Sequence, residues 1–193
     1  MISTEGEMSD GASAAQAGHA KDFWSGKLMT RTGFTFSVRP ARPGDEDLLA
    51  EFFTRVTPED LRFRFLTALL KVDRERLMLL THSDHSPSEN FLAFDLGGTA
   101  VIATAMLAAQ PNTDTAEVAM SLHQDYKGRG LVWTLLEHVG RYAEASGIQT
   151  MESIESRDNH AAIELEREMG FTAHSCVGDP SSVIIRRTLG NTR

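Results

Sequence analysis

The chain carries a single cysteine, Cys176, among its 193 residues. One thiol forms no internal disulfide and no thiolate metal cluster, so the sequence reads as that of a protein from a reducing, cytoplasmic setting. Basic residues are also scarce, with 19 Lys and Arg against 27 Asp and Glu and a formal net charge of −8. A general binder of the nucleic-acid backbone would show the opposite balance, and nucleic acid is not an expected partner. No apolar run approaches membrane-spanning length, so no membrane partner is expected either. The opening MISTEGEMSD is acidic and lacks the apolar stretch of a secretory signal. Internal repeats are absent. What remains is a hydrophobic share of 41%, enough at this length for one packed domain without covalent staples.

Residues 1–33 are small and polar, with Phe23 and Trp24 as their large apolar anchors. They are expected to form a tail or short accessory segment that docks through those two rings, and residues 34–193 the main domain. FTFSV alternates as a strand, and RPARPGDEDLLAEFFTRV supplies a helix face through Leu48, Leu49, Phe52, Phe53 and Val56. Thr57 as N-cap, Pro58 after it and Asp60 three residues on mark a further helix start. NFLAFDL and TAVIATAMLAA read as strands joined at Gly97-Gly98, followed by the alternating TAEVAMSL. A helix then stops at Gly147, IQTMESIES reads as a strand, and Asn159 opens a helix that stops at Gly170. FTAHSCV and SSVIIRRTL close the chain as strands, so the fold class is mixed α/β.

Chemistry concentrates in HQDYKGRGLVWTLLEH. Lys127, Gly128, Arg129 and Gly130 lead directly into an apolar helical pattern. A helix N-terminus presents unpaired N–H groups and partial positive charge, and glycine lets a ligand approach backbone closely. Two added cations suit a phosphate or diphosphate; a plain surface turn is the alternative. No Gly-Lys-Ser/Thr follows the glycines, which excludes a P-loop, and Trp133 stands at the third glycine position of a dinucleotide fingerprint.

Just upstream, Thr115, Glu117, Ala119 and Ser121 share the small, polar face of a strand. A ligand could lie along it with the Glu117 carboxylate beside it. A partly desolvated glutamate there is a candidate base, and an exposed strand glutamate is the competing reading.

The run from AEVAMSL through YKGRGLVWTLLEHVGRYAEASGI to NHAAIELEREMGF resembles the GNAT N-acetyltransferase superfamily, with flanking strands extending the likeness over Phe34 to Leu189. VRPARPGDEDLLAEFFTRVTPEDLRFRF is most similar to the acetyltransferase domain of bacterial protein lysine acetyltransferases. The resemblance implies a GNAT fold with a mixed, mostly antiparallel central sheet of six to seven strands flanked by helices. It implies acetyl-CoA as acyl donor, Glu117 as general base and an amine acceptor, either a protein lysine or a small molecule. A non-catalytic acyl-CoA-binding module is the alternative from another class, and the resemblance leaves a homodimer open.

For the donor it implies Ser121 and Leu122 at the acyl carbonyl, Lys127, Gly128, Arg129, Gly130, Leu131 and Val132 at the pyrophosphate, and Asn159. The family loop Q/R-x-x-G-x-G/A fits with Lys127 first, Gly130 in the middle and Val132 last, which places Leu131, Leu135 and Val139 toward the core. The other register puts Asp125 first and matches Gly128 and Gly130. Many members carry a tyrosine general acid seven residues after the asparagine; here that position is Glu166. His82, Asp84 and His85 read as a polar loop, Cys176 and Trp133 as packing residues, and no metal is expected.

Overall fold

The computed structural model describes residues 23–66, 71–82 and 88–190. Its strands are β1 (Gly26–Met29), β2 (Thr35–Pro40), β3 (Glu89–Phe94), β4 (Val101–Ala109), β5 (Thr115–Leu122), β6 (Thr150–Ser156), β7 (Thr172–Ser175) and β8 (Ser182–Thr188). The helices are α1 (Glu46–Phe53), α2 (Pro58–Phe65), α3 (Arg74–Thr81), α4 (Leu131–Ala145) and α5 (His160–Glu168). All eight strands form one sheet in the order β1-β2-β3-β4-β5-β6-β8-β7. Every pairing is antiparallel except β5 with β6. No helix among the described residues is long and apolar enough to cross a membrane.

The expected mixed α/β fold is present, with more strands than six to seven. The additional edge strand is β1, which lies inside the segment expected to be a tail. Trp24 does dock, its ring edge-on to His138 and Tyr142 of α4, whereas Phe23 meets Trp24 but stays 80% exposed. Four residues without clean alternation carry no strand signal; β1 forms because β2 offers it an open edge.

Two cores sit on the two faces of the sheet. On one, Leu131, Leu135 and Val139 of α4 pack with Phe36, Phe91, Ile102 and Met151. On the other, Leu49, Phe52 and Phe53 of α1 and Leu77 and Leu80 of α3 cover Leu92, Phe94 and Val101. β3 is buried along its whole length because both cores lean on it. The α2 start follows its sequence signature: Thr57 Oγ accepts from the Asp60 N–H at 3.1 Å, with Pro58 as first residue. Asn159 departs from expectation. It precedes α5 but its side chain makes no cap.

Candidate active site

β5 and β6 run side by side only where Thr115, Ala116 and Glu117 face Thr150, Met151 and Glu152. Beyond that pairing β5 continues to Leu122, held by β4, and β6 continues to Ser156, held by β8. Each strand keeps its outer partner while the inner edges part, which opens a wedge with backbone polar groups along its walls. A cleft of about 340 Å³ occupies it. One wall is β5 from Glu117 to Leu122 with Arg64 and Phe63 of α2; the other is the end of β6 with α5.

Two carboxylates stand at the root of the wedge, paired in register, and their surroundings separate their roles. Glu152 is 5% exposed and saturated: Gln110 Nε2 and Arg186 Nε each donate to it at 2.6 Å. Glu117 accepts no hydrogen bond among the described residues and opens onto the cleft. Burial pushes its pKa above the ordinary glutamate value, the Arg64 guanidinium pulls it back, and the Glu152 charge adds to the rise. The result is a carboxylate with free lone pairs and a strengthened affinity for a proton.

The facing wall holds two more. Glu166 is 6% exposed and lines the cleft, with Ser153 Oγ donating to its Oε2 at 2.8 Å. Burial, with the nearby Glu155 charge, pushes its pKa up to about 8. Glu155 is pushed up to about 7 by burial, against the Asn159 amide that donates to its Oε2 at 2.7 Å and the charge of Arg64. The side chain of Asn159 is therefore spent on Glu155 instead of the helix end. Arg64 faces both Glu117 and Glu155, yet ion-pairs with neither within 4.0 Å; its Nε is sealed without a partner and its Nη2 lies 3.7 Å from Met106 Sδ. Arg64→Met, which nearly keeps the volume and removes the charge, is expected to raise the Glu117 pKa further, because the pull of the guanidinium is lost. The ascending limb of a kcat/KM–pH profile should move up with it, and an unmoved limb would show that Arg64 does not act on Glu117.

The glycine loop borders the same cleft. Lys127, Gly128 and Val132 line it, with Glu117, Ser121, Leu122 and Asn159 from the strands and α5. Arg129, Gly130 and Leu131 do not. Leu131 is in the core, and Arg129 stacks over Phe34 and Tyr126 at 5.2 and 4.9 Å. The Lys127 ammonium is held by Asp60 at 2.6 Å. Gly128 and Gly130 both have positive φ, and the backbone N–H groups of residues 128–133 have no hydrogen-bond partner among the described residues. Ser121 Oγ is likewise buried without one. This side of the cleft can take an anion at the loop and a polar group along β5.

The lesser features settle elsewhere. Trp133 packs, its Nε1 donating to Glu137 at 2.9 Å. Cys176 lies past β7 and is half-buried, outside the strand and the core. His82 Nδ1 meets its own helix at the Met78 carbonyl, 3.0 Å, while Asp84 and His85 fall outside the described residues. Sequence reasoning missed Glu155, Ser153 and Asp60. The alternation of TMESIES hints at a Ser153/Glu155 face, but nothing local reveals that β6 parts from β5.

Comparison with known proteins bears on the family and the fold. The model of the acetyltransferase (GNAT) family matches residues 49–171. An acetyltransferase of Pseudomonas aeruginosa is 29% identical over 154 residues, covering 79% of this chain and 83% of that protein. The GNAT domain of S. lividans PAT superposes with a TM-score of 0.80 at 25% identity, covering 86% of this chain and 98% of that one. The fold of yncA from Salmonella typhimurium, solved with its cofactor acetyl-CoA, matches with a TM-score of 0.62 at 20% identity over 81% of this chain and 95% of that one. With its parted strands, its glycine loop at a helix N-terminus and its family match, this chain belongs to the GNAT acetyltransferase family, whose acyl donor is acetyl-CoA.

Proposed function

We propose that this protein transfers the acetyl group of acetyl-CoA to the ε-amine of a protein lysine, with Glu117 as base and Glu166 as proton donor. The observation that carries the reading is the unbonded Glu117 at the root of the wedge with a carboxyl group held neutral across from it. The donor site fits its ligand. Unpartnered N–H groups of residues 128–133 at the start of α4 suit a diphosphate, and a Cβ at Gly128 would meet nothing within 4 Å. The orphaned Ser121 Oγ and the backbone at Leu122 line the path of the acyl arm, opposite Asn159. Lys127 faces the cleft while balanced by Asp60, and Arg129 contributes its charge from outside the lining. Val132 supplies an N–H from the second position of α4, and its branched side chain narrows the cleft without removing that donor.

When bound, the donor presents a thioester for attack by the amine. A lysine that arrives as the ammonium first passes one proton through Glu117 to solvent, and Glu117 then takes a second proton from nitrogen as the C–N bond forms. Glu166 gives its proton to the sulfur as the C–S bond breaks. Proton exchange with solvent then resets both carboxyl groups. Phe63, Leu66 and Met120 line the cleft with apolar surface suited to a methylene stem. The likeness to the GNAT domain of S. lividans PAT supports a protein acceptor.

A thermal-shift titration with acetyl-CoA, followed by thiol release with a lysine peptide and with small amines, tests this reading. Stabilisation by the donor and peptide-dependent thiol release are expected. Absence of stabilisation would remove the donor assignment, and faster release with small amines would make the acceptor a small molecule. Stabilisation without release to any amine would identify a binding module instead of an enzyme.

A further inference from the structure

The loop that lines the donor cleft is gripped from outside by the turn joining β1 to β2, a region that lies before the family match at residue 49. Thr30 is 2% exposed, and its Oγ accepts the Phe34 N–H at 3.1 Å. Thr30 Oγ also lies 2.8 Å from Thr32 Oγ, and Thr32 Oγ donates to the Arg129 carbonyl at 2.8 Å. A hydroxyl has one proton. Since Thr32 gives its own to Arg129, Thr30 must be the donor to Thr32, and the bonds run in one direction from Phe34 to the loop. Further contacts come from the same turn: Arg31 stacks over Trp133 at 4.0 Å, and a Cβ on Gly130 would come within 3.4 Å of Thr30 Cβ.

The Thr32 bond bears on the donor through peptide geometry. In a trans peptide the C=O and the following N–H point in opposite directions. Holding the Arg129 carbonyl against the hairpin therefore aims the Gly130 N–H away from it, and that N–H has no partner among the described residues. Glycine at position 130, with φ +77°, leaves this peptide free to rotate unless something outside the loop restrains it. Lys127 is anchored by Asp60 on the other side, so Thr32 secures the end of the loop that α2 does not reach.

We propose that the β1–β2 turn is a positioning element for donor binding, in which Thr32, backed by Thr30, orients the Arg129–Gly130 peptide for the donor diphosphate. This rests on the reading of residues 128–133 as the diphosphate site. Neither threonine touches the reacting atoms, so the effect falls on donor affinity and not on the chemical step.

The test compares acetyl-CoA with S-acetylpantetheine, which carries the thioester arm without the diphosphate, in Thr32→Val and Thr32→Ser. In Thr32→Val the KM for acetyl-CoA and the Kd for free CoA should rise roughly fivefold, the worth of one hydrogen bond, with kcat unchanged. The kcat/KM for S-acetylpantetheine should stay at the wild-type value, and Thr32→Ser should restore acetyl-CoA binding. An unchanged KM in Thr32→Val, or an equal loss with S-acetylpantetheine, would overturn the positioning role. A wild-type enzyme that uses both donors equally well would instead show that the loop is not the diphosphate site, and the proposal would fall with that reading.

Discussion

Glu117→Gln is expected to lower turnover of a lysine acceptor at pH 7 by about a hundredfold or more, with the Kd for acetyl-CoA within about twofold of wild type. A lysine amine of pKa about 10.4 is protonated at neutral pH, and removing its proton without assistance costs about 4–5 kcal/mol. Glu117 is placed to offset that cost because its position makes it a stronger base than a solvated glutamate: half-buried, without a hydrogen bond on its carboxylate and beside the Glu152 charge, against the pull of Arg64. Glutamine keeps the shape and loses the proton-accepting oxygen. The size of the loss is therefore a statement about proton transfer, provided donor binding holds. A kcat/KM–pH profile supplies the second readout. In wild type the ascending limb follows Glu117, and in Glu117→Gln it should follow the amine itself and move toward alkaline pH. Turnover that survives the substitution would remove Glu117 as the base.

Glu166→Gln is expected to lower kcat by roughly tenfold and to abolish the alkaline limb of the profile. The carboxyl group at about 8 lies close to an ordinary thiol at about 8.5, a good match for proton donation to a departing sulfur. Wild-type kcat should fall above about pH 8 as Glu166 loses its proton. The same group gives a stability prediction of opposite sign to the usual acidic residue. A carboxyl whose folded pKa is raised contributes stability that is present in full below its unfolded value, near 4.5, and is lost as pH rises through about 8. Glu155, raised to about 7, adds in the same direction. Melting temperature should therefore decline between pH 5 and 8, and Glu166→Gln should flatten the decline and exceed wild type above pH 8. A variant that melts in parallel with wild type across this range would show that Glu166 titrates as an ordinary surface glutamate. Retained kcat with a flattened stability curve would make it a buried acid with no part in the chemistry.

Val132 illustrates how far local pattern carries and where it stops. The spacing Leu131, Leu135, Val139 correctly marks the buried face of α4, because helical periodicity depends only on nearby residues. The same spacing places Val132 at the second helical position, but whether its side chain meets the core or the cleft depends on what α5 and β6 do opposite it. Arg129 shows the converse. Its charge beside two glycines suggests a direct phosphate contact, yet Tyr126 from the same loop and Phe34, distant in sequence and adjacent in space, take its guanidinium. Asn159 occupies the place of a helix cap and bonds to Glu155, because the half-buried carboxyl group is the more demanding partner.

By itself the sequence determined most of the element types and the family resemblance, and it singled out Glu117 and the glycine loop as candidates. Those depend on short-range terms: side-chain periodicity, caps, and glycine at positive φ before a helix. The tertiary structure alone decided that β5 and β6 part after Glu117 and that Glu152 is saturated while Glu117 is free. It also decided that Glu155 and Glu166 are pressed together beside Ser153, and that the β1–β2 turn reaches the loop nearly a hundred residues further along the chain. Burial, pKa and hydrogen-bond saturation are set by neighbours brought together from separate elements, so they exist only once those elements are packed.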